Sequence, residues 1–456
     1  MATQNARAGA VSQPQGTEAQ HLPLGSVARD VSAPIFNNAP LWWWIGFFIS
    51  GGLLAIFTVS LGAISVIGVG LWDINNPVVW GTGIINLVFW IGIGHAGTFI
   101  SAVLLLNRQK WRSAFSRFAE GMTLMAVACA GLMPIFHAGR PWFVYWLLPY
   151  PNTLGLNPQW TSALVWDVVA ISTYGLVSLL FWYIDLLPDF AIMRDKAQTK
   201  FAKVTYGILS FGWRGESKQW HMLHKVSYLL AALATPLVIS VHSIVGLDFA
   251  MGNLPAWHHT IFPPYFVAGA VFSGFSMVII VAIALRNQFG WQHLITQRHI
   301  DFAAKFVLAT GLMVGYGYLI EVFGAWYAGH PGEVIATNGR MFGPTAPFYW
   351  AMVFFNVVFT QLLWLKSVRE NHTLLVVICI GVLIGMWLER YVIIAVGLNF
   401  GHMVAMQEMW IPTLFDWLII LSPFGLFGTL FFLFIRFFPA LPMFEVQEIG
   451  YEEGWR

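Results

Sequence analysis

The chain carries little charge and almost no cysteine. Only 10% of its 456 residues are Asp, Glu, Lys or Arg, whereas a soluble domain usually has about a quarter. The low charge excludes an ordinary soluble globular protein. Cys129 and Cys379 are the only cysteines, so the chain cannot supply the four thiolates that an iron–sulfur cluster normally takes. Both lie inside apolar runs and are predicted to be buried hydrophobic side chains.

The N-terminal end also lacks an apolar stretch of the kind that signal peptides contain. Its first 34 residues are rich in Gly, Gln, Ala and Ser, and we expect a disordered or partner-bound tail. Apolar runs then fill the chain from Leu41 to Phe438, and many reach the roughly 20 residues that span a bilayer. They do not alternate in polarity over about 10 residues, as transmembrane β-strands do. The sequence therefore predicts an all-α polytopic membrane protein.

Ten membrane spans are predicted. Spans two to five and six to nine make two sets of four, which suggests two four-helix bundles flanked by spans one and ten. The chain then divides into a polar tail at 1–40, a transmembrane domain at 41–438 and a C-terminal tail at 439–456. The spans are placed near 41–70, 83–106, 118–137, 160–186, 226–247, 265–286, 301–327, 348–365, 373–398 and 417–438.

Basic residues are distributed unequally between the two sides of the membrane. One set of alternate loops, together with both tails, holds 20 of the 23 Lys and Arg residues. The opposite loops hold only Arg140 and Arg340, and Arg390 lies within span nine. By the positive-inside rule, both termini are expected in the cytoplasm. The loop at 187–225 is long and basic, and its simplest interpretation is contact with anionic lipid.

Several ionisable side chains fall inside the spans, where they are costly and are functional candidates. The rise of about 1.5 Å per residue places four of them roughly 8–12 Å inside the outer ends of their spans. His137 ends span three, and Arg140 follows it. We therefore predict a polar pocket that opens from the outer side, with His137 and Arg140 at its rim. The four deeper residues are Asp167, His242, Glu321 and Arg390.

Other polar residues extend this pattern toward the midplane. Asp167 and Tyr174 are seven residues apart and share a helix face, while His95 lies near the middle of span two and Glu120 at the inner start of span three. Together they predict a proton-conducting ladder. Structural roles are the alternative: Glu389 and Arg390 as buried ion pairs, His95 as a hydrogen bond between helices, and Glu120 or His242 as interfacial residues.

A quinol suits such a pocket, because its oxidation requires acceptors for two protons as the electrons leave. A pair of His137 and Asp167 can bind a hydroxyl and accept a proton, and an arginine can tune the carboxylate. Trp142 and Phe143 are candidates for a ring-binding surface. The spans lack the paired histidines of a bis-His haem site. Electrons are therefore expected to pass to a partner on the outer face.

Three stretches are similar to a known family: GHAGTFISAVLLL at 94–106, RFAEGMTLMAVACAGLMPIFHAGRPWFVYWLLPYPN at 117–152 and WTSALVWDVVAISTYGLVSLLFWYIDLLPD at 160–189. The chain resembles the NrfD/polysulfide-reductase membrane subunits, which are quinone-binding anchors without redox cofactors of their own. Within that family it looks most like the ActC-type subunits of bacterial alternative complex III. The polar His137/Asp167 pair favours this type over the sister ActF-type subunits.

The resemblance implies oxidation of a quinol, with menaquinol the expected substrate, at His137, Asp167 and Arg390. Arg390 would support the Asp167 carboxylate, and Arg140, Trp142, Phe143, Tyr174 and Glu389 would contact the quinol. Protons would leave outward, and His95, Glu120, Glu321 and His242 would form a further proton path.

The implied partners are an ActB-type iron–sulfur subunit, ActA- and ActE-type haem c subunits, an ActF-type membrane subunit and lipids of the bacterial inner membrane. No metal site in this chain and no nucleic-acid partner are expected. Two alternatives stay open: a structural anchor or proton channel of the ActF type, and a secondary transporter. A transporter is expected to place its site near the midplane on broken helices, whereas the polar residues here cluster in the outer third.

Overall fold

The computed structural model describes residues 24–72, 74, 78–147, 160–401 and 410–452. These residues form helices and no strand, which confirms the all-α prediction. Ten of the helices are long and apolar enough to cross a membrane. We label them α1 to α10: Leu41–Ile67, Thr82–Leu106, Ser116–His137, Ala163–Lys196, Ser217–Ala250, Phe262–Gln288, Gln297–Ala328, Ala346–Trp364, His372–Val396 and Leu414–Phe437.

The helices group as two four-helix bundles and one flanking pair. Helix α2 packs on α3, α4 packs on both α3 and α5, and α5 closes the first bundle against α2. Helices α6 to α9 form the second bundle, which meets the first where α6 packs on α2 and α5. Helix α1 packs along α10, and α10 also contacts α3. The expected arrangement of four, four and two helices is thus present in the described part of the chain.

Helix α2 lies at the centre of the molecule, and small residues let its neighbours approach closely. A side chain at Gly97 would collide with the backbone of Ala119 on α3, and one at Gly274 on α6 would collide with Ala96. Small residues at such interfaces let helix backbones pack by van der Waals contact. The polar side chains of α2 are therefore held inside protein and away from lipid.

Three spans contain one turn of π-helix: Phe99–Val103 in α2, Phe354–Val358 in α8 and Val392–Val396 in α9. Such turns are frequent at functional sites. Each has a buried polar residue close by: Thr98 directly precedes the first turn, Asn356 lies within the second, and Arg390 lies two residues before the third. The wider turn changes the direction of side chains on either side of it, so these three positions mark where the helices depart from regular packing.

Both described ends of the chain lie on one face, which we call the terminal face. Leu24–Phe36 forms a helix that packs against Met443–Glu452. Its apolar residues Val27 and Val31 are one turn apart and buried, which explains why the segment folds. The structure differs here from the disordered or partner-bound tail expected over the first 34 residues, and residues 1–23 lie outside the described residues.

The largest differences from the predicted span limits are in α4 and α5, which continue toward the terminal face beyond their apolar cores. Helix α4 ends at Lys196, ten residues past the predicted limit, and α5 begins at Ser217, nine residues before it. Each has 34 residues, or about 51 Å of helix, against a hydrocarbon core of about 30 Å. Their ends on the terminal face therefore project beyond the hydrocarbon.

Candidate functional site

Two carboxyl groups meet near the opposite face of the membrane. Asp167 lies in the second turn of α4, and Asp248 lies two residues before the end of α5. Their side chains hydrogen-bond to each other, and the described residues supply no other donor to either carboxyl. Two ionised carboxylates repel, so this hydrogen bond requires a shared proton. The pair is therefore a proton donor and acceptor, and the described residues leave its two buried Oδ1 atoms without another partner.

Asp248 is a site residue that the sequence does not predict. The predicted limit of span five is 247, one residue earlier, and this limit leaves the aspartate outside the membrane. Its position could have identified it as a site residue. It is an acidic residue directly after an apolar run, at the same membrane depth as Asp167.

His137 is the last residue of α3, as predicted. Its ring stacks on the buried Trp72 with 5.7 Å between centroids and 18° between planes, and Gly83 at the start of α2 leaves room beside it. The Nδ1 atom of His137 is buried, and no described residue is its hydrogen-bond partner. No hydrogen bond or ion pair joins His137 to Asp167 in the described ranges. Each instead offers an unused polar group near the opposite face.

Arg140 stabilises the end of a helix. Its guanidinium donates to Ser65 O and Val66 O, both at 3.0 Å, and so satisfies carbonyls at the C-terminus of α1, where a cation is favoured. The exposed rings of Trp142 and Phe143 lie beside it in the 3₁₀ turn Pro141–Leu147. Arg140 therefore helps to fix the loop that follows His137.

Arg390 lies in the second bundle and pairs with Glu389. The two side chains form an ion pair, and the guanidinium sits 5.0 Å from the centroid of the Phe266 ring, a cation–π contact. Glu389 also accepts a 2.6 Å hydrogen bond from Tyr318. The expected support of Asp167 by Arg390 is not present here, because Arg390 is paired within the second bundle while Asp167 is paired within the first.

Two histidines meet between α2 and α5. His95 Nε2 contacts Val238 O and lies 3.2 Å from His242 Nδ1, and both rings are fully buried. The His95 ring also stacks on Tyr174, with 5.3 Å between centroids. His242 lies deeper than expected, because α5 continues to Ala250.

Tyr174 belongs with the buried histidines. Its hydroxyl lies 2.7 Å from Thr98 Oγ1 and 3.0 Å from Gly94 O. Asp167 and Tyr174 share the buried face of α4, which confirms that part of the prediction. They are separated along the helix by about 10 Å, so Tyr174 extends the polar interior from the aspartate pair toward the midplane.

A second polar cluster lies toward the terminal face. Arg117 donates to Asp189 Oδ2 at 3.2 Å and to Asp185 O at 2.8 Å, and Ser227 donates to Asp185 Oδ1 at 2.6 Å. Glu120 is buried in the same cluster. Of these residues the sequence predicts only Glu120. Asp185 and Asp189 are missed because they lie close to the predicted end of span four, at 186, where acidic residues are also typical of the start of a loop.

This cluster is reached from the terminal face through an open cavity of about 280 Å³. Arg112 and Asp185 line the cavity, together with Glu445 from the C-terminal helix. Arg112 donates to Glu445 at 2.7 Å. The buried carboxylates therefore have a route to the aqueous side that passes the C-terminal helix.

Glu321 is held by an ion pair on the opposite face. Arg340, from the loop helix Pro331–Phe342, donates to Glu321 Oε1 at 2.7 Å, and His259 Nε2 lies 4.0 Å from the same oxygen. Burial lowers the pKa of His259, although Glu321 partly opposes that effect. The contact fastens the loop helix to α7, and it does not connect Glu321 to His95 or Asp167.

Comparison with known proteins identifies the chain's relatives. A family model described as "Polysulphide reductase, NrfD" matches residues 70–405. A protein of Halobacterium salinarum, named as a putative membrane subunit of dimethyl sulfoxide reductase, is 24% identical over 235 residues, covering 49% of this chain and 50% of that protein. The matched region thus spans about half the length of that relative.

A second relative covers more of the chain. The "Hdr-like menaquinol oxidoreductase integral membrane subunit" of Archaeoglobus fulgidus is 20% identical over 406 residues, or 83% of this chain and 89% of that protein.

In the described residues, no group of three or more His, Cys, Asp or Glu side chains has the arrangement of a metal site.

Proposed function

Because the chain belongs to the NrfD polysulphide reductase family, we propose that it is the quinol-binding membrane subunit of a quinol oxidoreductase. The observation that carries this proposal is the hydrogen-bonded pair of Asp167 and Asp248 near the opposite face. A relative covering 83% of the chain is named for menaquinol, which makes menaquinol the proposed substrate.

The pair suits the proton chemistry of the reaction. Oxidation of one quinol to quinone releases two electrons and two protons. A quinol hydroxyl donates a hydrogen bond to the Asp167–Asp248 pair, which accepts one proton, and the unpartnered His137 Nδ1 accepts the other. Both protons then leave toward the opposite face. The two electrons pass to an acceptor in a partner subunit, since this chain is proposed to hold no redox cofactor.

The contacts of the other candidate residues refine their roles. Trp142 and Phe143 lie on the loop after His137 and are exposed, so they are proposed to guide the ring from lipid into the site. Arg140 acts indirectly by fixing that loop. Three other candidates are buried deeper: Tyr174, Glu389 and the proposed catalytic Arg390. They contact the quinol directly only if the quinol enters beyond Asp167.

The finer assignment is to the ActC-type subunit of bacterial alternative complex III, in the inner membrane with the terminal face in the cytoplasm. It is supported by the placement of His137 and Asp167 at the same face of the first bundle and by the basic loops on the terminal face. The proposed partners are an ActB-type iron–sulfur subunit on the opposite face, haem c subunits of the ActA and ActE types, and an ActF-type membrane subunit.

A proton path through the first bundle is a second proposed function. His242, His95 and Tyr174 are in contact, and Tyr174 continues to Thr98, which lies 3.2 Å from Ser178 Oγ. Ser178 precedes Asp185 by two turns on α4, about 10 Å, and Asp185 lines the cavity on the terminal face. Glu120 lies at the same end. Glu321 is paired elsewhere and is proposed to be structural.

The test is Asp167→Asn in the intact membrane complex, with quinol-dependent reduction of c-type haems as the measurement. Asp195→Asn is the matched control, because that side chain is 67% exposed on the terminal face. Loss of haem reduction with normal assembly supports the proposal. A near-normal rate would reject Asp167 as a proton acceptor and favour a structural anchor with the quinol site in another subunit.

A further inference from the structure

An amphipathic helix on the terminal face exposes large apolar side chains. Lys200–Leu209 connects α4 to α5, and four side chains along its outer side and just after it are open. Their exposed fractions are 81% for Phe201, 53% for Val204, 71% for Ile208 and 82% for Phe211. We call these four residues the apolar face. A continuous exposed apolar surface of this kind marks an interaction site.

The helix folds back along α4 and returns toward the bilayer. Tyr206 stacks on Phe190 and donates to Phe437 O at 3.0 Å, while Tyr183 donates to Leu209 O at 2.9 Å. Tyr183 lies sixteen residues after Asp167, or about 24 Å of helix, whereas Lys196 lies about 44 Å away. Because the hydrocarbon core is about 30 Å thick, the hydrogen bond brings Leu209 back to the membrane boundary.

The end of the helix directs one ring outward at a conformational cost. Phe211 has a φ of 46°, in the left-handed region that bulky residues avoid. Its ring is nevertheless among the most exposed in the described chain. Such strain costs on the order of 1 kcal/mol or more, which contact of the ring with an apolar environment would offset. Leu179 and Leu180 are also exposed on α4, one turn before the Tyr183 that bonds to Leu209.

The charge around the apolar face is positive. Residues 194–225 contain seven Lys or Arg side chains and two acidic ones. Lys200 and Lys203 are exposed on the helix itself, beside Val204. Basic residues flanking an apolar helical face are typical of helices that lie in the boundary of an anionic membrane.

We propose that the apolar face lies in the leaflet at the terminal face, with Lys200 and Lys203 bound to the phosphates of anionic phospholipids. The observations favour lipid over a partner protein, because the face continues the lipid-facing surface of α4 and its flanking charge complements an anionic leaflet. The attached loop is then held at a fixed depth beside the cavity that reaches Asp185. This proposal does not depend on quinol chemistry.

The depth of the helix can be measured by spin labelling. Both native cysteines are fully buried, so a nitroxide can be attached at Val204→Cys or Ile208→Cys in the complex, reconstituted in nanodiscs of phosphatidylglycerol and phosphatidylcholine. Ser217→Cys is the control, because Ser217 lies about 46 Å of helix from Asp248, beyond the hydrocarbon.

If the apolar face lies in the leaflet, labels at 204 and 208 are relaxed by oxygen and protected from a water-soluble nickel chelate. The label at 217 is then relaxed by the chelate and less by oxygen. Nickel access equal to that at 217 would overturn it by placing the face in water. Protection from both reagents would overturn it in favour of a protein partner.

The lipid selectivity is tested with charge variants. Lys200→Gln with Lys203→Gln is expected to lower the preference of the purified complex for phosphatidylglycerol over phosphatidylcholine about tenfold, measured by native mass spectrometry. The matched control is Lys305→Gln with Lys366→Gln, which removes the same charge elsewhere on the terminal face. An equal loss in the control would show that net charge and not this helix determines lipid binding, and would overturn the assignment.

Discussion

Asp167 and Asp248 share a hydrogen bond between their carboxyl groups across the interface of α4 and α5. Each residue is therefore needed for the proton affinity of the other. If the pair accepts a quinol proton, Asp248→Asn and Asp167→Asn are each expected to slow single-turnover haem reduction about 100-fold. The double variant is expected to be no slower than the slower single variant, because residues that act as a unit are not additive.

Additive losses in the double variant would contradict a shared function for the two carboxyls. The exposed Asp195→Asn serves again as the control for loss of an aspartate. Each variant must retain the absorbance of the complex and its full set of subunits, since loss of assembly also abolishes haem reduction.

The ion pair of Arg340 and Glu321 is predicted to be structural. Replacing Arg340 by Met leaves a buried carboxylate without its partner, which typically costs about 3–5 kcal/mol. We therefore expect a lower thermal midpoint for Arg340→Met, measured by loss of the folded complex on heating. The double variant Arg340→Met with Glu321→Gln is expected to recover most of the stability and to retain normal quinol oxidation. Loss of oxidation in the stable double variant would place Glu321 on the functional path.

The stability of the protein is expected to depend on pH through His259, which lies at the opposite face. Burial lowers its pKa below the ordinary value of 6.5, while Glu321 acts in the opposite direction. Because the folded pKa is below the unfolded one, stability is full above about pH 6.5 and is lost as the pH falls below it. Thermal midpoints at pH 5.5 and 7.5 should differ less in His259→Gln than in the parent. An unchanged difference would assign the pH dependence to other groups.

The sequence predicts the spans well and the polar contacts poorly. Hydropathy identifies ten apolar helices because each must match the thickness of the bilayer. The shared face of Asp167 and Tyr174 is also predictable, because residues seven apart lie on the same side of a helix. The partner of each polar side chain depends instead on which helices pack together. Arg140 binds the end of α1, and Glu321 pairs with Arg340 of the loop helix, and neither contact has a local signal.

The missed residues share a position at a predicted helix end. Asp248, Asp185 and Asp189 all lie within a few residues of the limits assigned to spans four and five, where polar residues normally mark the start of a loop. Both helices continue because their polar ends are satisfied by other helices, as in the hydrogen bonds of Asp185 with Ser227 and of Asp189 with Arg117. Hydropathy alone does not contain that information.

Substitution of His95, which contacts His242, tests whether quinol oxidation and proton movement use different groups. His95 is fully buried, and it meets His242 and Tyr174 deeper in the membrane than the aspartate pair. If this group conducts protons, His95→Gln is expected to lower the number of protons moved per electron in vesicles by about half or more, while single-turnover haem reduction changes less than tenfold. A glutamine retains hydrogen bonding between the helices but does not carry a proton at neutral pH.

The exposed His221 lies at the start of α5, and His221→Gln is the matched control. If His95→Gln leaves proton movement unchanged in an assembled complex, the two histidines serve only to join α2 to α5. If it abolishes haem reduction as fully as Asp167→Asn, His95 belongs to the quinol site itself. A selective loss of proton movement would support a path from the midplane to the cavity beside Asp185, since that cavity opens the first bundle to the terminal face.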